Sequence, residues 1–247
     1  MARRLAFIFV RPGWKGGVSF TKPTANPLEV SKGYHVGMEN TGIVTFDSVP
    51  HGDTINLGIG QPSPDLLPVR LIREATEDFL SNADPLDLNY GERQGDRRFR
   101  DSLAGFLSRH YDHPVAADAL YISGGNSQAL DFICGLFTQP GDTVFIEEPT
   151  YFLAHRIFAD HGLKTVGIPM DGDGMRIDVL EERLGEHRPS LVYTIPSFHH
   201  PGAVTLSAER RRKLAALSRE HGFYIAADEV YQLLHYTDRE PPPAMGT

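Results

Sequence analysis

The stretch LYISGGNSQALDFICGLFTQPGDTVFIEEPTY, Leu120 to Tyr151, decides the fold class. Leu120 to Ser123 is short, apolar and β-rich. Gly124-Gly125 breaks it, Asn126 to about Thr138 has a helical pattern, and Thr143 to Glu147 is β-rich again. The same alternation continues downstream. The runs Lys164 to Pro169, Leu191 to Ile195 and Phe223 to Asp228 predict strands; Tyr151 to His161, Ile177 to His187 and Ser207 to His221 predict helices between them. Upstream, Pro68 opens a predicted helix to about Ala83, with Leu71, Ile72, Ala75, Phe79 and Leu80 at helical spacing. Another fits Asp96 to Tyr111, with Phe99, Leu103, Phe106 and Leu107 on one face. Near-continuous apolar strands alternating with helices predict an α/β fold with a mostly parallel sheet covered on both faces. Ligands of such folds sit at the carboxyl ends of the strands.

The whole-chain numbers agree. The chain has 247 residues, 40% hydrophobic and 23% charged, enough for one large domain or two ordinary ones. The net charge of -8 argues against nucleic acid or an anionic membrane as main partner, because a phosphate backbone demands a basic footprint. Cys134 is the sole cysteine, which rules out an internal disulfide and a cysteine-rich zinc site. The apolar run Leu5 to Val10 is too short to span a bilayer and makes a poor secretory core, although Arg3 and Arg4 precede it. The expected location is cytoplasmic. Residues 1–37 mix glycine, proline and isolated basic residues without sustained period, so a poorly structured extension is expected there, with Met38 a candidate true start. The lysines number five: Lys15, Lys22, Lys32, Lys164 and Lys213.

Four motifs fall at predicted strand ends. Ser123-Gly124-Gly125-Asn126-Ser127-Gln128 opens a helix, where free amides and the helix dipole favour an anion such as a phosphate; it also reads as an ordinary turn. Tyr151, in Glu148-Pro149-Thr150-Tyr151, could stack on a planar ligand or pack in the core. His199-His200 sit in Pro196 to Gly202; an extended backbone points adjacent side chains to opposite faces, so one histidine donating a hydrogen bond is favoured over a metal site. Asp228 ends a buried strand and calls for a cationic partner, with Tyr231 three residues on; a helix-capping aspartate and a core tyrosine are the ordinary alternative.

Together, in this order, the motifs resemble those of the fold-type I pyridoxal-phosphate-dependent aminotransferases of the class I/II group. The resemblance runs from about Ile55 onward and takes in Gly58-Ile59-Gly60-Gln61-Pro62 and Asn89-Tyr90-Gly91. It implies residues 38–94 as an arm and part of a small domain, and residues 95–247 as part of a three-layer, cofactor-binding large domain. It implies that Gly125, Asn126 and Ser127 hold the cofactor phosphate by backbone and side chain. It places Tyr90 on the phosphate of the neighbouring subunit of a homodimer, Tyr151 on the pyridine ring and Asp228 on its protonated nitrogen. Tyr231 would bond the phenolic oxygen, and Gly60 would lie near the substrate carboxylate. The implied substrates are an L-amino acid and a 2-oxo acid.

Two departures qualify the resemblance. Where the family has Asn-Pro-Thr-Gly this chain has His200-Pro201-Gly202-Ala203, so His200 takes the place of the asparagine on the phenolic oxygen. The family's Schiff-base lysine lies beyond the Asp-x-x-Tyr motif, and no lysine follows Lys213, which sits in the basic helical run from Arg210. The expectation is therefore a truncated aminotransferase lacking its catalytic lysine. Two alternatives stay open: another reaction on the same scaffold, of carbon-sulfur lyase or cyclopropane-forming synthase type, or a catalytically silent ligand-sensing or dimerisation module.

Overall fold

The computed structural model describes residues 8–9, 62–236 and 240–246. The chain divides into two compact units, residues 1–2 with 15–79 and residues 3–14 with 80–247. In the described part of the first, a single turn of 3-10 helix at Pro64–Leu66 precedes α1 (Val69–Asn82), which crosses the boundary and buries none of its residues. The expectation for residues 1–37 lies outside the described residues, apart from Ile8–Phe9.

The second unit is an α/β sheet structure. Its strands are β1 (Ile8–Phe9), β2 (Thr143–Glu148), β3 (Lys164–Asp171), β4 (Gly174–Met175), β5 (Pro189–Thr194) and β6 (Tyr224–Ala227), in the order β1-β6-β5-β2-β3-β4. The four central strands are parallel, while the two-residue strands β1 and β4 pair antiparallel at the edges. From β2 the chain moves to one side for β3 and to the other for β5 and β6, so strand order reverses between β2 and β5. Such a switch point opens a crevice at the carboxyl ends.

Period-2 alternation buries both faces. Val144, Ile146, Leu191, Tyr193 and Ala226 face α3 (Asn126–Phe137) and α4 (Phe152–Asp160), meeting Leu130, Ile133, Cys134, Ala154 and Phe158. Phe145, Ile168, Val192 and Leu206 pack on the other face, with Ile177 and Leu180 of α5 (Ile177–Leu184) and Leu214 and Leu217 of α6 (Ala208–His221). A third cluster joins Ala104 and Leu107 of α2 (Arg97–Tyr111) to Leu120. Local chemistry sets the helix starts: the Asp96 carboxylate accepts the Phe99 N–H at 2.8 Å, and Ser207 Oγ caps α6.

One predicted strand is absent. Leu120 to Ser123 is extended but joins no ladder; the Ile122 N–H donates instead to the Gln94 carbonyl at 2.9 Å. Its apolar residues are used to pack Leu120 against α2, which periodicity does not separate from sheet burial. Among the described residues, no helix is long and apolar enough to cross a membrane.

Candidate cofactor site

The carboxyl ends of β2, β5 and β6 converge on a cleft of about 250 Å³ lined by Asn126, Ser127, Tyr151, Tyr193, His200, Asp228 and Tyr231, with an apolar wall that includes Leu130, Ala154 and Ile195. Each polar lining residue follows from local structure. Gly125 precedes α3 with φ of 121°, a backbone state that needs glycine, and turns the chain so that α3 begins at the cleft. No side chain caps this helix, so its first amide groups lack the usual acceptor. Ser123 Oγ donates to the Gly125 carbonyl at 3.1 Å, and the Gly124 N–H donates to Gln128 Oε1 at 2.6 Å, fixing the turn.

Asp228 follows β6 and is buried. Its two oxygens accept from neutral groups: Asn126 Nδ2 at 3.1 Å on one and the Tyr193 hydroxyl at 2.9 Å on the other. Burial pushes the Asp228 carboxyl above the ordinary range, and the bonds from Tyr193 and Asn126 pull it partly back. The cationic partner expected from the sequence is not supplied: among the described residues both acceptor contacts come from uncharged donors. Tyr193 is itself driven far toward its neutral form by burial and by the Asp228 charge. Burial, followed by Asp228 and Tyr231, also raises Tyr151.

Behind the cleft, Glu147 at the end of β2 is 1% exposed and bonded on both oxygens. It accepts from Thr194 Oγ1 at 2.6 Å and from the Ile195 N–H at 2.9 Å, stapling β2 to β5. His199 Nε2 stands 3.0 Å from the same carboxylate, off the axis of a hydrogen bond. His199 Nδ1 accepts the Gly202 N–H at 3.0 Å, so the ring proton belongs on Nε2, facing Glu147. A Cβ on Gly202 would fall 2.9 Å from that Nδ1, which requires glycine. The adjacent histidines do point to opposite sides. His199 is buried, whereas His200 is exposed at the cleft, its ring 5.9 Å from that of Tyr151.

The residues singled out from the sequence thus meet for the most part. Asn126, Ser127, Tyr151, His200, Asp228 and Tyr231 line one cleft, and Gly125 immediately precedes it. Tyr90 is fully exposed and does not line the cleft; Gly60 lies outside the described residues. Lys164 is at the amino end of β3, the far end of a parallel sheet from the cleft. Lys213 on α6 pairs with Glu181 at 2.6 Å. Among the described residues no lysine lines the cleft. Sequence reasoning missed Tyr193 and Glu147. Tyr193 is a polar-tipped residue inside an apolar run and Glu147 a charge that closes one, and those anomalies are the signal that could have marked them.

An uncapped helix start and a buried carboxylate held by neutral donors, in one cleft that Tyr151 also lines, suit a planar cationic heterocycle bearing an anionic tail. Comparison with known proteins agrees. The family model described as aminotransferase class I and II matches residues 52–244. The aromatic-amino-acid aminotransferase 1 of Thermococcus litoralis is 36% identical over 200 residues, covering 79% of this chain and 48% of that protein. The crystal structure of the multiple substrate aminotransferase of Thermococcus profundus superposes with a TM-score of 0.71 at 35% identity, covering 80% of this chain and 50% of that one. That of the alpha-aminoadipate aminotransferase LysN of Thermus thermophilus, complexed with N-(5'-phosphopyridoxyl)-L-leucine, gives 0.68 at 28% identity, covering 76% and 46%. The chain spans about half the length of the curated relatives it matches. With the family model, the relatives and the fold in agreement, the chain belongs to the class I and II aminotransferases, the fold-type I family built around pyridoxal phosphate.

Proposed function

We propose that this chain forms the cofactor-holding half of an amino-acid aminotransferase, which moves an amino group from an L-amino acid to a 2-oxo acid. The observation that carries this reading is Asp228: a buried carboxylate, bonded by two neutral donors, at a cleft that begins at an uncapped helix. Pyridoxal phosphate, when bound, supplies an electron sink that works only while its ring nitrogen is protonated. Asp228 holds that proton in place, because a carboxylate already removed from water gains most from a cation beside it. The first amides of α3, at Asn126 and Ser127 with Gly125 ahead of them, hold the phosphate. Tyr151 covers the ring, and the Tyr231 hydroxyl and a His200 N–H donate to the phenolic oxygen.

Tyr90, exposed and away from the cleft, is assigned to the phosphate of a neighbouring subunit in a homodimer, and Gly60 to the substrate carboxylate. The assembly is placed in the cytoplasm, in amino-acid metabolism. Neither Lys164, at the amino end of β3, nor Lys213, paired with Glu181, faces the cleft, so neither is assigned to bond the cofactor.

Titration with pyridoxamine 5'-phosphate, which needs no lysine to bind, tests the reading. Saturable binding followed by calorimetry is expected, with ring absorbance changing on binding. Absence of saturable binding at millimolar ligand would refute it. Borohydride treatment with pyridoxal phosphate should leave no specific label on Lys213 in peptide maps.

A further inference from the structure

Asn126 occupies two regions at once. Its backbone is the first residue of α3, at the uncapped end assigned to the phosphate, while its side-chain amide reaches 102 residues along the chain to the Asp228 carboxylate at 3.1 Å. A carboxylate only accepts, so the amide must present its N–H to it, and its length is needed for the reach. Both ends of this link are anchored. The turn before α3 is fixed by the Ser123 and Gln128 bonds, α3 packs through Leu130 into the cluster that holds Ala226 of β6, and the other Asp228 oxygen is held by Tyr193.

We propose that Asn126 is a positioning residue that ties the phosphate end of the cofactor site to its ring-nitrogen end, orienting the Asp228 carboxylate from the helix that grips the phosphate. This rests on the cofactor reading above. Its consequence is that occupation of the phosphate position and protonation of the ring are coupled through one side chain. The resemblance implies that backbone and side-chain groups of Gly125, Asn126 and Ser127 together hold the phosphate; in the structure the Asn126 side-chain amide donates to the Asp228 carboxylate.

The test compares the full chain with Asn126→Ser, whose side chain is too short for the bond, and Tyr193→Phe, which removes the other donor while keeping the ring that packs on Phe158. Each is titrated by calorimetry with inorganic phosphate, pyridoxamine and pyridoxamine 5'-phosphate, and the protonation of the bound ring is followed by absorbance against pH. For Asn126→Ser, affinity for both ring-bearing ligands falls about tenfold, because the Asp228 carboxylate is no longer held in orientation toward the ring. Affinity for inorganic phosphate stays within about twofold, and the bound ring gives up its proton at lower pH. Tyr193→Phe, which leaves the Asn126 bond in place, is the comparison for losing one donor without cutting the link, and Asn126→Ala carries the test if Asn126→Ser does not fold. Unchanged affinity for the ring-bearing ligands, or a parallel loss for inorganic phosphate with no change in ring titration, would overturn the inference while leaving the cofactor reading intact. An unsubstituted chain that binds neither ring-bearing ligand overturns both.

Discussion

Asp228 and Glu229 follow one another just past β6, both buried, yet they enter two differently built regions. Asp228 turns to the cleft, where Asn126 and Tyr193 bond both its oxygens and an open volume faces it. Glu229 turns away from it. One oxygen accepts the Met245 N–H at 2.7 Å; the other has no hydrogen-bond partner among the described residues. The nearest cation, Arg211, stands 3.9 Å off, its guanidinium engaged by the Leu206, Pro196 and Pro243 carbonyls and by Ser197 Oγ. Burial therefore pushes Glu229 up to about 7, with the Met245 bond and the Arg211 charge only partly offsetting it. The same functional group, one residue apart, is prepared for a ligand on one side and under-satisfied on the other. What distinguishes a site from a merely strained carboxylate is the pairing of satisfied donors with empty space, rather than burial or an altered pKa.

That contrast can be broken at either residue. The largest effect is expected from Asp228→Ala, which removes the carboxylate proposed to pair with the ring nitrogen; breaking one side of a buried charge pair costs about 3–5 kcal/mol. Affinity for pyridoxamine 5'-phosphate should fall by a factor of at least about 100 in calorimetry. Glu147→Ala strikes the seam between the two regions, leaving the Thr194 hydroxyl and the Ile195 N–H without their acceptor and His199 without the carboxylate beside it. Urea unfolding should report a loss of about 3 kcal/mol.

Glu229→Gln is expected to act in the opposite sense. The folded carboxyl titrates near 7 and the unfolded one near its ordinary 4.5, so the folded state holds the extra proton between these values. Stability then declines as pH rises from about 4.5 to about 7 and stays reduced above. The substitution should flatten that slope and stabilise the chain at pH 8 by on the order of 2 kcal/mol, without altering cofactor affinity. Denaturant midpoints measured at pH 5 and pH 8 check both. The smallest effect is assigned to Lys213→Ala, which removes a half-exposed pair with Glu181. Neither cofactor binding nor the thermal midpoint should change measurably.

The cleft side was the more legible of the two regions. Tyr151, His200, Asp228 and Tyr231 stood out because each lies in the segment that leaves an apolar strand, and strand ends are where an α/β sheet exposes chemistry. The rear cluster offered no such cue. Arg211 reads as one basic residue in the exposed run from Arg210 to Lys213, yet it is buried and binds carbonyls from three segments. Helical periodicity is too coarse to pick out the single arginine that turns inward.

By itself, then, the sequence determined the alternation of strands and helices, the helix starts at about Asp96 and Ser207, the glycine turn ahead of Asn126 and the family resemblance, because these rest on local spacing and side-chain chemistry. Only the tertiary structure decided that Leu120 to Ser123 packs on α2 instead of joining the sheet. It also decided that Asn126 and Tyr193 bond Asp228, that Glu147 faces His199, and that neither Lys164 nor Lys213 lines the cleft. Those contacts join residues tens of positions apart through hydrogen bonds and burial. No local period encodes such a pairing; it exists only once the strands are laid side by side and their carboxyl ends meet.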